Sequence, residues 1–163
     1  MVDSAAACDA FVERFGGVYE HSPWVAGQCF AAARNATMDE RAQLFEQCVN
    51  SADYDTKMRL IHAHPDLAGR AAVRGELTAD STSEQSSAGI DRCTEDEYAQ
   101  FIAFNEAYKK KFGFPFIMAV RNSNRHKILA AFARRIENDA DTEFETAIRE
   151  IHKIARLRLE AMV

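Results

Sequence analysis

Three threonine-containing tetrads mark where helices of this chain begin, and they constrain its fold more than any other feature. Thr37–Glu40, Thr94–Glu97 and Thr142–Glu145 each place a threonine three residues before a glutamate. In such a capping box, the two side chains pair with backbone N–H groups that the first helical turn leaves without partners. Apolar residues with the spacing of one helical face follow each tetrad. The chain is therefore expected to be mainly helical.

Capping residues, glycines and prolines predict the bounds of the other helices. These are a helix from a Ser4 cap to Phe15, a helix from Trp24, a short helix starting at Asp55 or Thr56, one or two turns over 66–72, a short helix near 82–87, and a helix from an Asn122 or Ser123 cap to Ile136. The apolar run 114–120 has strand propensity but no partner strand, so it is expected to be a buried extended segment. The interpretation is an all-α fold, a single domain over 1–163 built as a bundle of about seven to nine helices.

Composition narrows the function classes. At 163 residues and 47% hydrophobic, the chain suits one domain with a real core. A net charge of −5, with acidic residues interleaved among the basic ones, argues against nucleic-acid binding. No apolar run has the length of a membrane span, and the acidic N-terminus does not resemble an export signal. Four widely spaced cysteines form no CxxC pair, which favours reduced thiols in a cytoplasmic protein over a zinc or disulfide scaffold.

The stretch 64–89 departs from the helical pattern. It combines a histidine, carboxylates, hydroxyls, a glutamine and glycines without a continuous apolar face. A polar segment of this length in a compact helical protein is either a solvated loop or a functional region. Pro65 disfavours helix at the preceding residue, so His64 is expected at or just beyond a helix end.

A metal site is one interpretation of this stretch, with His62, His64, Asp66 and Glu84 as ligands. Residues two apart point to opposite sides of a helix or strand. His62 and His64 therefore cannot easily share an ion, and no metal is expected.

Acid–base chemistry by His64 with Glu84 is the second interpretation. An imidazole at a helix end titrates near neutral pH, and an adjacent carboxylate would fix its tautomer. A surface ion pair is the plainer interpretation from the residues alone. Arg156 and Arg158 lie among apolar residues of the last helix, so one of them is expected to face the core or a cavity and to need an anionic or carbonyl partner.

Four segments, taken together, resemble one enzyme family. They are HPDLAGR, GELTADSTSEQSSAG, FNEAYKKKFGFPFIMAVR and KIARLRL, in that order over nearly the whole chain. The set resembles the 2-oxo-4-hydroxy-4-carboxy-5-ureidoimidazoline (OHCU) decarboxylase family, whose members carry out the last step in oxidising urate to (S)-allantoin. The combination of HPDL, S-x-x-E-Q and KFGFPF is specific, whereas each motif alone is weak.

The resemblance implies an all-α, cofactor-free enzyme that acts on a small-molecule substrate and is usually a homodimer. It implies that His64 is the catalytic histidine and Glu84 its partner carboxylate. It assigns substrate contacts to a further set, with Arg158 preferred over Arg156 as the anchoring arginine. That set is Pro65, Ser81, Gln85, the backbone of Phe116, Ile117, Met118, Ala119 and Val120, and Arg158.

Two other functions stay open at this point. A non-catalytic helical module would bind a purine-derived ureido heterocycle without turning it over, which the presence of both His64 and Glu84 disfavours. A related enzyme could act on a different ureido compound, and the residues alone do not distinguish the two substrates.

Overall fold

The computed structural model describes residues 3–69 and 75–163. Within them the regular elements are helices, as predicted for an all-α fold. Eight α-helices are described, with one 3-10 turn at Ile90–Arg92 between α5 and α6. The α-helices are α1 (Ser4–Phe15), α2 (Trp24–Ala33), α3 (Met38–Asn50), α4 (Tyr54–His62), α5 (Ala79–Ser87), α6 (Glu95–Phe112), α7 (Arg125–Arg135) and α8 (Ala140–Glu160).

Two of the three expected capping boxes are confirmed. Thr37 and Glu40 form reciprocal side-chain to backbone hydrogen bonds at the start of α3, and Thr94 and Glu97 do the same at the start of α6. Gly113 ends α6 with φ of 78°, a left-handed conformation that suits glycine.

The third expected box is wrong. α8 begins at Ala140, and the Asp139 Oδ1 atom accepts a hydrogen bond from the Thr142 backbone N–H at 2.7 Å. Aspartate is a strong N-cap residue, so Asp139 starts the helix before Thr142 can. Glu143, in the first turn of α8, is buried.

The starts of four other helices differ from expectation by a few residues, because another residue caps each of them. Asp3 rather than Ser4 caps α1, and Asp53 caps α4 ahead of the expected start at Asp55 or Thr56. Asn124, not Asn122 or Ser123, caps α7 through its bond to the Lys127 N–H at 3.0 Å. α5 begins at Ala79, capped by Thr78, three residues before the expected start. Of the turns expected over 66–72, residues 70–72 lie outside the described residues.

The chain folds into two compact units. The first comprises residues 3–63 and 152–163. Aromatic side chains of α1, α2 and α3 form its core, where Phe11 lies 5.5 Å from Phe30 and 6.3 Å from Phe45 between ring centroids. The last turns of α8 add Ala155 and Leu159, both buried.

The second unit comprises residues 64–69 and 75–151. Its core is an aromatic cluster in which Phe132 stacks on Phe116 with centroids 3.7 Å apart, and Tyr108 meets Phe116 edge to face at 5.3 Å. Residues 115–120 have neither helix nor strand conformation, as expected, and they are buried except for Met118 and Ala119, which are partly exposed. The expectation of one domain over 1–163 stays a prediction. Among the described residues, no helix combines the length and the apolar character needed to cross a membrane.

Candidate active site

His64 lies two residues beyond the end of α4, as predicted from Pro65. α4 ends at His62, Ala63 is its C-cap, and His64 lies in the bend that follows. His64 is buried, with 8% of its surface exposed, whereas His62 is exposed. The two imidazoles therefore occupy different environments, as expected for residues two apart.

α5 buries a polar face, which is unusual for a helix of a globular protein. Ser81, Glu84 and Gln85 are its buried residues, at the i, i+3 and i+4 spacing that normally carries apolar side chains. Burying a carboxylate, an amide and a hydroxyl is unfavourable unless each has polar partners. The three side chains therefore need polar partners within the fold, and for Gln85 that partner is the Ala68 N–H.

The turn that follows His64 is held by side chains from two helices. The Asn105 Nδ2 group of α6 donates to the Leu67 carbonyl at 2.8 Å, and the Ala68 N–H donates to Gln85 Oε1 at 3.1 Å. Lys109 forms an ion pair with Asp66 at 2.6 Å. Ala68 has φ of 54°, a left-handed conformation that is strained for alanine, so these contacts maintain a backbone that the chain would not adopt alone.

A cavity of about 440 Å³ lies beside α5 in the second unit. Its walls include Ala68, Leu77, Gln85, Ile90, Cys93 and Tyr98. Gln85 is a predicted substrate contact; it lines this cavity and bonds the Ala68 N–H in the turn that follows His64. The acidic side chains of Asp91 and Glu95 also line the cavity, which makes it a poor place for a substrate carboxylate.

The predicted substrate segment is anchored from its buried side. Phe116 and Ile117 are 1% and 3% exposed, so their side chains belong to the core. Arg135 Nη1 donates to the Ile117 carbonyl at 2.6 Å, and its guanidinium carbon lies 4.2 Å from the Phe116 ring centroid. Met118 and Ala119 are partly exposed. A ligand would meet Phe116 and Ile117 through their backbone rather than their side chains.

Of the two candidate arginines, Arg158 is the buried one. It belongs to the first unit, where its Nη1 atom donates to the Gly17 carbonyl at 3.1 Å. Arg156 is partly exposed and pairs with Asp39 and with Glu160 on the helix surface. The expectation that one arginine faces inward is confirmed for Arg158, and its substrate role stays a prediction.

His152 in the first unit is a buried histidine outside the predicted site. Its Nδ1 atom lies 2.8 Å from the Tyr19 hydroxyl and its Nε2 atom 2.9 Å from Asn50 Oδ1. Because Asn50 Oδ1 can only accept, Nε2 carries the proton and Nδ1 accepts from Tyr19. Burial, with a smaller contribution from Lys57, lowers the pKa of His152 from 6.5 to about 4. It is therefore neutral at physiological pH.

Three of the predicted site residues lie together on one helix. Ser81, Glu84 and Gln85 share one helix face, and Gln85 joins them to the turn after His64. The pairing of His64 with Glu84 stays a prediction. In the described ranges 3–69 and 75–163, no cluster of three or more histidine, cysteine, aspartate or glutamate side chains is arranged to hold a metal.

Four buried polar residues were not identified from the sequence: Glu20, Asn105, Arg135 and Glu143. Two of them lie on the apolar face of a helix, and this position could have indicated that they are buried. Asn105 falls between Phe101 and Tyr108 on the buried face of α6. Glu143 precedes the buried Ala147 and Ile151 at four-residue intervals on α8. A polar residue at such a position requires a buried partner.

Comparison with known proteins identifies relatives over almost the whole chain. A sequence model of the OHCU decarboxylase family matches residues 4–160. A 2-oxo-4-hydroxy-4-carboxy-5-ureidoimidazoline decarboxylase of Haloferax volcanii is 42% identical over 151 residues, which is 93% of this chain and 88% of that protein.

Two solved structures have a similar fold. The crystal structure of an (S)-allantoin synthase matches with a TM-score of 0.75 and 32% identity, over 96% of this chain and 50% of that one. This chain thus spans half of that synthase. A crystal structure of an OHCU decarboxylase in the presence of (S)-allantoin matches with a TM-score of 0.69 and 26% identity, over 85% of this chain and 89% of that one.

Proposed function

The chain belongs to the OHCU decarboxylase family and is a decarboxylase, and from this premise we propose that it converts OHCU to (S)-allantoin with His64 as its acid–base residue, oriented by Glu84. Family membership over nearly the whole chain is the observation that carries the proposal. The burial of both His64 and Glu84 in the second unit supports their roles, because a glutamate is rarely buried unless it is paired.

The substrate supplies its own electron sink. In OHCU one ring carbon bears both the carboxylate and a hydroxyl, and the neighbouring carbon bears the ureido group and belongs to a C=N bond. When carbon dioxide leaves, the electron pair of the broken C–C bond moves toward this imine. The reaction then needs three proton transfers, with a net uptake of one proton. The hydroxyl loses a proton as it becomes a carbonyl, the imine nitrogen that receives the electron pair gains one, and the ureido-bearing carbon gains one on a single face.

His64 is the side chain proposed to carry out these proton transfers. A positioned acid–base side chain contributes about 10²- to 10⁴-fold in rate. Glu84 would accept a hydrogen bond from the imidazole and stabilise its protonated form. Asn105 and Gln85 hold the turn after His64 through hydrogen bonds to its backbone, which supports this assignment. Proton transfer is efficient only between groups in a fixed geometry.

Binding groups are proposed from the same resemblance. Pro65, Ser81, Gln85 and the 116–120 backbone would hold the ring and the ureido group so that one face meets the proton donor. The buried polar face of α5 supports the roles of Ser81 and Gln85. The anchoring role of Arg158 rests on the resemblance alone.

A coupled assay tests the function. Urate oxidase and the hydrolase that follows it would generate OHCU in the presence of this protein, and circular dichroism would follow the appearance of (S)-allantoin. The expected result is a chiral signal that rises faster than in the same mixture without the protein. A signal no faster than the spontaneous decay, combined with measurable ligand binding, would instead indicate a non-catalytic module.

The assembly and location are further proposals. We expect a homodimer, which light scattering coupled to size-exclusion chromatography would report as twice the mass of 18.3 kDa. A monomer mass would contradict it. A cytoplasmic location also stays a prediction, and fractionation of the source cells tests it.

A further inference from the structure

The segment 114–120 has to satisfy its backbone groups without a helix or a sheet. Buried N–H and C=O groups must each find a partner, because leaving one unpaired is unfavourable. At Ile117 the partner is Arg135, whose Nη1 atom donates to the carbonyl at 2.6 Å. The same guanidinium covers the face of the Phe116 ring at 4.2 Å. One side chain therefore fixes two consecutive residues of the segment.

We propose that Arg135 is a positioning residue for substrate binding. It holds the backbone at Phe116 and Ile117, and so sets where Met118 to Val120 meet the substrate. The two residues that Arg135 holds are buried, whereas Met118 and Ala119 are partly exposed and open to a ligand. This inference rests on the proposed function, which assigns the 116–120 backbone to the substrate.

Arg135 is itself fixed by Glu143. The Arg135 Nε atom donates to Glu143 Oε1 at 2.9 Å, and the two side chains are 9% and 0% exposed. Tyr108 donates to the same oxygen at 2.6 Å, and Asn138 donates to Oε2 at 2.9 Å. Burial and the Glu143 carboxylate raise the pKa of the Tyr108 phenol, which keeps it protonated as a donor. The Glu143 carboxylate thus accepts hydrogen bonds from three donors, and its ion pair with Arg135 restrains the position of the guanidinium.

The geometry requires arginine rather than any cation. A planar guanidinium can bond a carboxylate with one N–H, bond a carbonyl with another and still stack on a ring, whereas a lysine ammonium cannot do all three. Arg135 Nη2 is buried and has no hydrogen-bond partner in the described part of the chain.

The test compares Arg135→Lys with Tyr108→Phe. Both variants remove a hydrogen bond to the Glu143 carboxylate, but only the first alters the contacts to Phe116 and Ile117. Both should lower the melting temperature. Arg135→Lys alone should raise KM for OHCU about tenfold or more, as expected for a lost charge-assisted bond that acts on binding. It alone should also speed hydrogen–deuterium exchange at the amides of 116–120, measured by mass spectrometry.

An unchanged KM in a folded Arg135→Lys protein would overturn the proposal, as would equal effects of the two variants on KM. If Arg135→Lys does not fold, the pair Arg135→Gln/Glu143→Gln removes both charges at once and leaves no unpaired ion. The same rise in KM and in exchange is then expected. If the neutral pair does not fold either, Arg135 has a structural role and the positioning proposal fails.

The two proposals fail in different ways. If the unaltered protein does not produce (S)-allantoin from OHCU, the proposed function is wrong whatever Arg135 does. The exchange rates of 116–120 would still show whether Arg135 holds the segment. A normal wild-type rate with an unaffected Arg135→Lys KM would leave the function in place and remove only the positioning role.

Discussion

The Arg158 Nη2 atom donates to Glu20 Oε2 at 2.7 Å, and the two side chains are only 3% and 1% exposed. Such a pair carries a large desolvation penalty for each ion, which is offset only while both partners are present. Arg158 is held further by the Gly17 carbonyl, so its guanidinium has a fixed orientation in the first unit. Glu20 is therefore the residue through which the orientation of Arg158 can be tested.

Glu20→Gln should lower the free energy of unfolding by about 3 kcal/mol, because it removes the charge that partners a buried guanidinium. If Arg158 anchors the substrate, KM for OHCU should rise as well. Chemical denaturation and steady-state kinetics measure the two effects. Asp39→Asn is the matched control, since it removes the exposed partner of Arg156 and should change stability by less than about 1 kcal/mol. Equal changes in stability and in KM for Glu20→Gln and Asp39→Asn would contradict the role of Glu20 in orienting Arg158.

Asn105→Leu should reduce kcat about 10- to 100-fold, because the turn after His64 loses the donor to the Leu67 carbonyl and small displacements of reacting groups are that damaging. Stopped-flow circular dichroism of the coupled reaction would measure it. Lys109→Met removes another contact to the same turn, but this ion pair is exposed, so kcat should stay within about twofold. If Asn105→Leu behaves like Lys109→Met, Asn105 does not position the turn.

His152 should make the protein less stable in mild acid. Its pKa is about 4 in the folded state, against the ordinary value of 6.5 expected for the unfolded chain, so the unfolded chain binds the proton more readily below pH 6.5. Its contribution is complete above that pH and is lost as the pH falls toward 4. The loss between pH 7.5 and 4.5 should be about 2 to 3 kcal/mol.

The measurement is urea denaturation of the wild type and of His152→Gln at both pH values. Carboxylates common to the two proteins cancel in the difference. The wild type should lose about 2 to 3 kcal/mol more than the variant on acidification. Parallel losses would mean that His152 does not stay neutral in the folded state.

Local signals in the sequence were sufficient for most of the fold. Thr37 and Thr94 predict helix starts correctly because the capping box involves residues three apart and nothing distant. Thr142 failed because Asp139, three residues earlier, is the better cap. The correct and the wrong predictions differ in whether a competing N-cap residue precedes the threonine. The error therefore concerns where the helix begins and not whether it is present.

Buried polar partners were much harder to predict. Glu20 and Arg158 are 138 residues apart, and Tyr108 and Glu143 are 35 apart, so no spacing rule links them. Their pairing depends on how helices pack, which a single sequence does not state. Asn105 was visible as a polar residue on an apolar stripe, yet its partner, the Leu67 carbonyl, is a backbone group that no side-chain pattern reveals. Gln85 was predicted as a substrate contact, and its bond to the Ala68 N–H gives it a structural role as well.

Glu84→Gln should lower kcat more than it raises KM, because the carboxylate is proposed to orient His64 and to stabilise its protonated form rather than to bind the substrate. The loss is expected to be about 10²-fold. Asp80→Asn, an exposed acidic residue of the same helix, is the matched control and should keep kcat close to that of the wild type. A change in KM alone for Glu84→Gln would make Glu84 a binding residue.

His64→Asn tests the central claim most directly. The substitution keeps a similar polar side chain but removes the titrating group, and His62→Asn, at the exposed histidine two residues away, is its control. The assay follows (S)-allantoin by circular dichroism, while the melting curve reports folding. The account predicts that His64→Asn melts like the wild type and produces (S)-allantoin no faster than the spontaneous reaction, while His62→Asn is fully active. A folded His64→Asn protein with a near-normal rate would contradict it.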